Sequence, residues 1–127
     1  MLKLSEMHDG YFDGAWNSGY GETHLFLRSN SGFRGTVVLR GVAAANVESF
    51  RQGNVIFDIE TIPTEQLTSS NISDSYGLAS DEESRCEKLL ALAKSEGLSI
   101  LNVNPSYGAQ CTFLYRSAEI LDGHVTN

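Results

Sequence analysis

Residues 80–97, SDEESRCEKLLALAKSEG, carry the clearest helical periodicity in the chain. Cys86, Leu89, Leu90 and Ala93 recur at i, i+3, i+4 and i+7, which aligns them along one side of a helix. Ser80 stands three residues before Glu83, the spacing of a capping box in which the hydroxyl accepts from the Glu83 amide. Acidic residues fill the first turn and Lys94 lies in the last, as the helix dipole favours, and Gly97 supplies the C-cap. The spacing predicts a helix over about 81–96 with one apolar stripe that another element must cover.

That other element is a sheet. Upstream, Asn54 to Ile62 alternates, with Val55, Phe57 and Ile59 on one side and Asp58 and Glu60 on the other. Strands are also expected at about 11–18, 23–28, 33–40 and, more weakly, 42–47. Asp-Gly pairs and Gly-rich turns separate them. Pro63 ends the 54–62 strand, and a short helix is expected over 64–70. Downstream, 98–103 is apolar on both faces, 104–108 reads as a turn, and 109–116 alternates again. The last ten residues are expected to fray. The fold class is therefore α+β over one domain, 1–127. The sheet is largely antiparallel, of six or seven strands, flat or curled, with the 81–96 helix on one face. On this reading Val55, Phe57, Ile59, Cys111, Phe113 and Leu89 are buried together, and Phe57→Ala costs about 3–5 kcal/mol.

The chain has 127 residues, 41% of them hydrophobic, which is enough for one core. No apolar run reaches the roughly 20 residues that span a bilayer, and the first residues lack the apolar stretch of a signal peptide, so a cytoplasmic protein is expected. The net charge of −7 repels phosphate backbones and argues against nucleic acid as a partner. Cys86 and Cys111 lie in apolar patterns at no metal-type spacing and read as buried free thiols.

Candidate chemistry is sparse. His8, Asp9, Asp13 and His24 combine imidazole and carboxylate as a transition metal requires, but both Asp residues precede Gly, where turn chemistry is the stronger reading. Asp58 and Glu60 share one face of a strand. Paired carboxylates serve acid–base catalysis when one pKa is raised, and otherwise form a solvated face. Tyr20, Tyr76 and Tyr107 each precede Gly in expected loops, where they either offer rigid contact area or cap the core. Phosphate-binding glycine loops and nucleophile elbows are absent from the sequence. No catalytic residue, metal or cofactor is expected.

His8-Asp9-Gly10, the strand His24 to Arg28, then Val37 to Val42, then Phe50 to Asp58 follow one another in a recognisable order. This order resembles a loose group of small bacterial proteins. They open with a His-Asp-Ser or His-Asp-Gly turn and continue as a strand meander, and they include immunity proteins of polymorphic toxin systems. The resemblance covers about residues 8–60 and implies binding to a protein partner rather than turnover. Asp58, Glu60, Tyr20, Tyr76 and Tyr107 are the candidate contact residues. The alternative is a small-ligand-binding domain with a pocket in a curled sheet.

Overall fold

A computed structural model describes residues 2–125. Eight antiparallel strands form one sheet: β1 (Tyr11–Asn17), β2 (Glu22–Arg28), β3 (Arg34–Arg40), β4 (Ala44–Glu48), β5 (Asn54–Ile62), β6 (Ser99–Tyr107), β7 (Gln110–Tyr115) and β8 (Ser117–Asp122). Their order is β4-β7-β6-β5-β1-β2-β3-β8, open at β4 and β8. Two helices, α1 (Ser69–Tyr76) and α2 (Glu83–Glu96), lie between β5 and β6 in sequence.

The strand count exceeds the expected six or seven because the end of the chain, expected to fray, contributes β8. It pairs instead with β3 from Gly35↔Asp122 to Arg40↔Ser117. Only Arg116 separates β7 from β8, and its amide donates to Arg40 O at 2.9 Å. Three further boundaries moved. The short helix is α1, capped by Thr68, whose hydroxyl accepts from Asn71 N while Asn71 Oδ1 accepts from Thr68 N. A single 3-10 turn covers Thr64–Gln66. The helix at 81–96 begins at Glu83, after a 3-10 turn over Ser80–Glu82, and it is the Glu82 carboxylate that accepts from Ala79 N. β6 runs on through the expected turn to Tyr107.

Apolar residues on both faces of β6 and β7 divide the interior in two. Leu101, Val103, Cys111 and Phe113 join Phe12, Leu25, Leu27, Val37, Leu39 and Ile56 in a core made almost wholly by the sheet. Leu2 and Met7 from the N-terminal segment belong to the same core. Ile100 and Leu114, on the opposite face, join Ile72, Cys86 and Ala93 under the helices, with Leu89 and Leu90 packed alongside. The predicted apolar stripe of α2 is thus covered, but by the face that carries Ile100 and Leu114 rather than the one that carries Phe113. Leu89 and Phe113 fall in different cores.

β5 departs furthest from its expected face. Ile56 pairs with Pro105 and Asp58 with Asn104, so Phe57 is an extra residue with no partner of its own. A bulge of this kind reverses the alternation beyond it. Ile56 and Ile59, three apart, both pack on the sheet core, while Val55 is half-buried and Phe57 remains 52% exposed. The expected burial of Phe57 is therefore corrected: strict alternation does not survive the bulge.

Asn54 ties three segments together from a position only 2% exposed. Its Oδ1 accepts from Arg51 N at 2.7 Å and Ala109 N at 2.9 Å. Its Nδ2 donates to Arg51 O at 2.7 Å and Phe12 O at 3.3 Å. The amide thereby uses all four of its hydrogen-bonding valences. Gly108 lies against it with φ +89°, and a Cβ there would stand 2.4 Å from Oδ1, so both conformation and space require glycine.

Two stability outcomes follow from this packing. Ile56→Ala should lower unfolding free energy by about 2–5 kcal/mol, and Phe57→Ala by about 1 kcal/mol or less, read from urea midpoints. The reverse ranking would place the bulge elsewhere. Asn54→Ala leaves several buried backbone groups unpaired and should cost at least about 2 kcal/mol, with loss of amide-exchange protection at Ala109.

Candidate functional site

Cross-strand partners share a face, and the pairing of β5 with β6 therefore assigns the outer surface of both strands. Val55 faces Tyr107, Asp58 faces Asn104 and Glu60 faces Asn102. Because Ile56 points into the core, Val55 and, beyond the bulge, Asp58 and Glu60 point outward. A second irregularity helps: Tyr107 and Pro105 oppose the adjacent residues Val55 and Ile56, so Ser106 is an extra residue on β6. On that face Tyr107 (56% exposed) accompanies the exposed Asp58 and Glu60, and the bulged Phe57 between Ile56 and Asp58 is itself 52% exposed.

The carboxylates are held by amides. Asn104 Nδ2 donates to Asp58 Oδ1 at 2.8 Å, and Asn102 Nδ2 donates to Glu60 Oε1 at 3.2 Å. Asn102 Nδ2 also lies 3.0 Å from Ser75 Oγ, and the Thr112 hydroxyl donates between Asn102 Oδ1 and Ser75 O at 2.8 and 2.9 Å. This buried network fixes α1 to the sheet and orients Asn102 toward Glu60. Neither carboxylate has an ion-pair partner among the described residues. His8 borders the surface, its ring edge-on to Phe57 at 5.4 Å and its Nδ1 2.9 Å from Phe57 O.

Three of the five expected contact residues, Asp58, Glu60 and Tyr107, therefore share one surface. Tyr20 stands apart at the β1–β2 turn, 93% exposed. Tyr76 is buried, its hydroxyl donating to Ala44 O at 3.0 Å, and is withdrawn as a contact residue. It ends α1 facing the sheet, where the phenol ties β4 to the helix layer. Phe57 was expected in the core and stands exposed instead. Asn102 and Asn104 were missed because their role depends on strand pairing.

The metal candidates do not converge. His8 Nε2 lies 3.6 Å from Asp9, while Asp13 pairs with Arg28 through two hydrogen bonds of 3.1 and 3.2 Å. His24 is fully buried on β2. Its Nε2 lies 2.8 Å from Glu22 Oε1, its Nδ1 lies 2.9 Å from Val125 O, and Trp16 packs edge-on against the ring. Gly123–Val125 thus crosses the outer face of β2 and β3, fastened also by Val125 N donating to Thr36 Oγ1. No group of three or more metal-ligating side chains occurs among the described residues. The chain matches no protein-family model, no curated protein and no solved structure. No helix among the described residues is long and apolar enough to cross a membrane.

Burial leaves a titration signature. It pushes the Cys111 thiol from 9.0 up to about 12 and raises the Tyr76 and Tyr115 phenols. These groups lose protons more readily in the unfolded chain. Their contribution is complete below about pH 9 and disappears as pH rises toward 12. Urea midpoints measured from pH 8 upward should fall through that window, and Cys111→Val should flatten part of the slope. A midpoint independent of pH in that range would contradict the burial of all three groups.

Proposed function

We propose that this chain is a non-catalytic cytoplasmic interaction protein, of the immunity type that residues 8–60 resemble, and that it grips a protein partner with the outer face of β5 and β6. The observation that carries this reading is the state of Asp58 and Glu60. Both carboxylates are oriented by asparagine amides, have no ion-pair partner among the described residues, and belong to a strand pair that also carries the half-exposed Phe57 and Tyr107. Oriented groups lose little freedom on binding, and aromatic side chains supply most of the anchoring energy in interfaces.

The other expectation, a ligand pocket enclosed by a curled sheet, has less support. The core between the sheet's apolar rows is filled by Phe12, Phe113, Leu101 and their neighbours. The deeper concavities described are open grooves at the surface.

The test is quantitative co-purification from the native host. Tagged parent protein, the triple variant Asp58→Asn/Glu60→Gln/Tyr107→Ala and the distant control Asp81→Asn are compared. The parent and control should retain the same partner. The triple variant should lose affinity about tenfold or more, the consequence of removing anchors worth about 2 kcal/mol. Equal retention by all three would move the interface elsewhere. No specific partner for the parent would overturn the interaction reading itself.

A further inference from the structure

A second surface, separate from the β5–β6 face, has a different chemistry. Between α1 and α2 lies an open groove of about 610 Å³, within the size range of small-molecule sites. Its α2 wall is a single helical stripe, Glu83, Cys86, Glu87 and Leu90, at i, i+3, i+4 and i+7. Its α1 wall consists of Ser69, Ser70 and Ser73, and Leu78, Ala79 and Ser80 complete the lining. The small α1 side chains leave the space open, and Leu78, Cys86 and Leu90 give it an apolar floor. Cys86 is 6% exposed, its thiol donating to Ser69 O at 3.2 Å.

Charge selects the occupant. Glu83 and Glu87 are exposed and have no ion-pair partner among the described residues, and the groove is lined by no lysine or arginine. Nearby Arg85 is turned to Glu82 and lines a different concavity. Like charges at i and i+4 sit with Cβ atoms about 5–6 Å apart and oppose the helix that carries them. A cation bridging them relieves that repulsion. The matching ligand has two ammonium groups separated by a few methylenes. Each nitrogen donates to a carboxylate or a serine hydroxyl, and the methylenes lie on the apolar floor. We propose that the α1–α2 groove binds linear aliphatic diamines and polyamines.

The test uses the purified full chain with 1,4-diaminobutane and with spermidine, against sodium chloride of matched ionic strength. Amide shifts should move and saturate at millimolar amine within Ser69–Ser73 and Glu83–Leu90, and the melting temperature should rise. Alkylation of Cys86 by iodoacetamide should slow several-fold while that of Cys111 is unchanged. Glu83→Gln/Glu87→Gln, at exposed positions, should fold normally and lose all three effects. Shifts reproduced by salt alone, or retained in the double variant, would overturn the proposal. A lysine-rich peptide that protects Cys86 where the amines do not would also overturn it, making the groove a protein-docking surface. Neither result bears on the Asp58 face, whose variants leave this groove intact.

Discussion

The β6–β7 pair is apolar on both faces, and the rest of the architecture answers to that constraint. A strand pair of this kind cannot sit at a wet surface, so the chain must cover it twice. The side that carries Leu101, Val103, Cys111 and Phe113 is covered by the sheet's own strands, together with Leu2 and Met7. The side that carries Ile100 and Leu114 is covered by α1 and α2. Both helices fall between β5 and β6 in sequence, so the chain lays its helical layer before completing the sheet beneath it. The buried polar groups on the helix side of the pair, Asn102 and Thr112, are satisfied by Ser75 and by each other. An unpaired amide there would cost about 1–3 kcal/mol.

The same strands part where the exposed β5–β6 face begins. β6 outlasts β7, pairing with it only as far as Val103↔Cys111, and its last residues lie against β5. Each strand carries one extra residue in this stretch, Phe57 on β5 and Ser106 on β6. Bulges bend a strand and re-aim its side chains. Here they turn Phe57 out to water and set Asp58 opposite Asn104. Asn54 and Gly108 secure the end of this region, where the turn before β5 meets the turn before β7. The surface proposed to bind a partner thus lies on a segment whose irregularity is pinned by a fully satisfied buried amide, which keeps it from relaxing into a regular ladder.

Much of this was legible from the residues, and the losses have definite causes. Periodicity located α2 because a helical stripe is a local pattern that tertiary contacts only confirm. The strands at 11–17, 22–28, 34–40, 54–62 and 110–115 follow from alternation and turn chemistry in the same way. Phe57 misled because Val55, Phe57 and Ile59 make a continuous apolar row, and nothing local signals a bulge without glycine. Asn104-Pro105-Ser106-Tyr107-Gly108 has the composition of a turn, yet only Gly108 turns. Pro105 is tolerated because it sits beside an irregular position of the ladder, where a missing amide proton matters least. β8 lacks a clean alternation and becomes a strand only because β3 offers it a partner. The site residues divide similarly: Asp58 and Glu60 were visible as a charged face, whereas the amides that hold them exist as partners only once β5 and β6 are in register.

The distribution of charge links fold to function more closely than its total. Lys3, Arg28, Arg40, Arg85 and Arg116 are all matched with acids, on the N-terminal segment, β1–β2, β3–β8, the start of α2 and its end. Exposed pairs of this kind contribute little stability, so their main consequence is to neutralise those regions. The excess behind the −7 is therefore concentrated elsewhere. Asp58 and Glu60 hold part of it on β5, and Glu83 and Glu87 hold part of it on α2. On β5 the carboxylates are fixed by amides and flanked by rings, which suits a large, shaped, basic surface. On α2 they line a groove floored by aliphatic and thiol groups, which suits a narrow, flexible cation. On the two proposals, one electrostatic surplus serves two different recognition chemistries, and what separates them is the rigidity and width of the scaffold beneath.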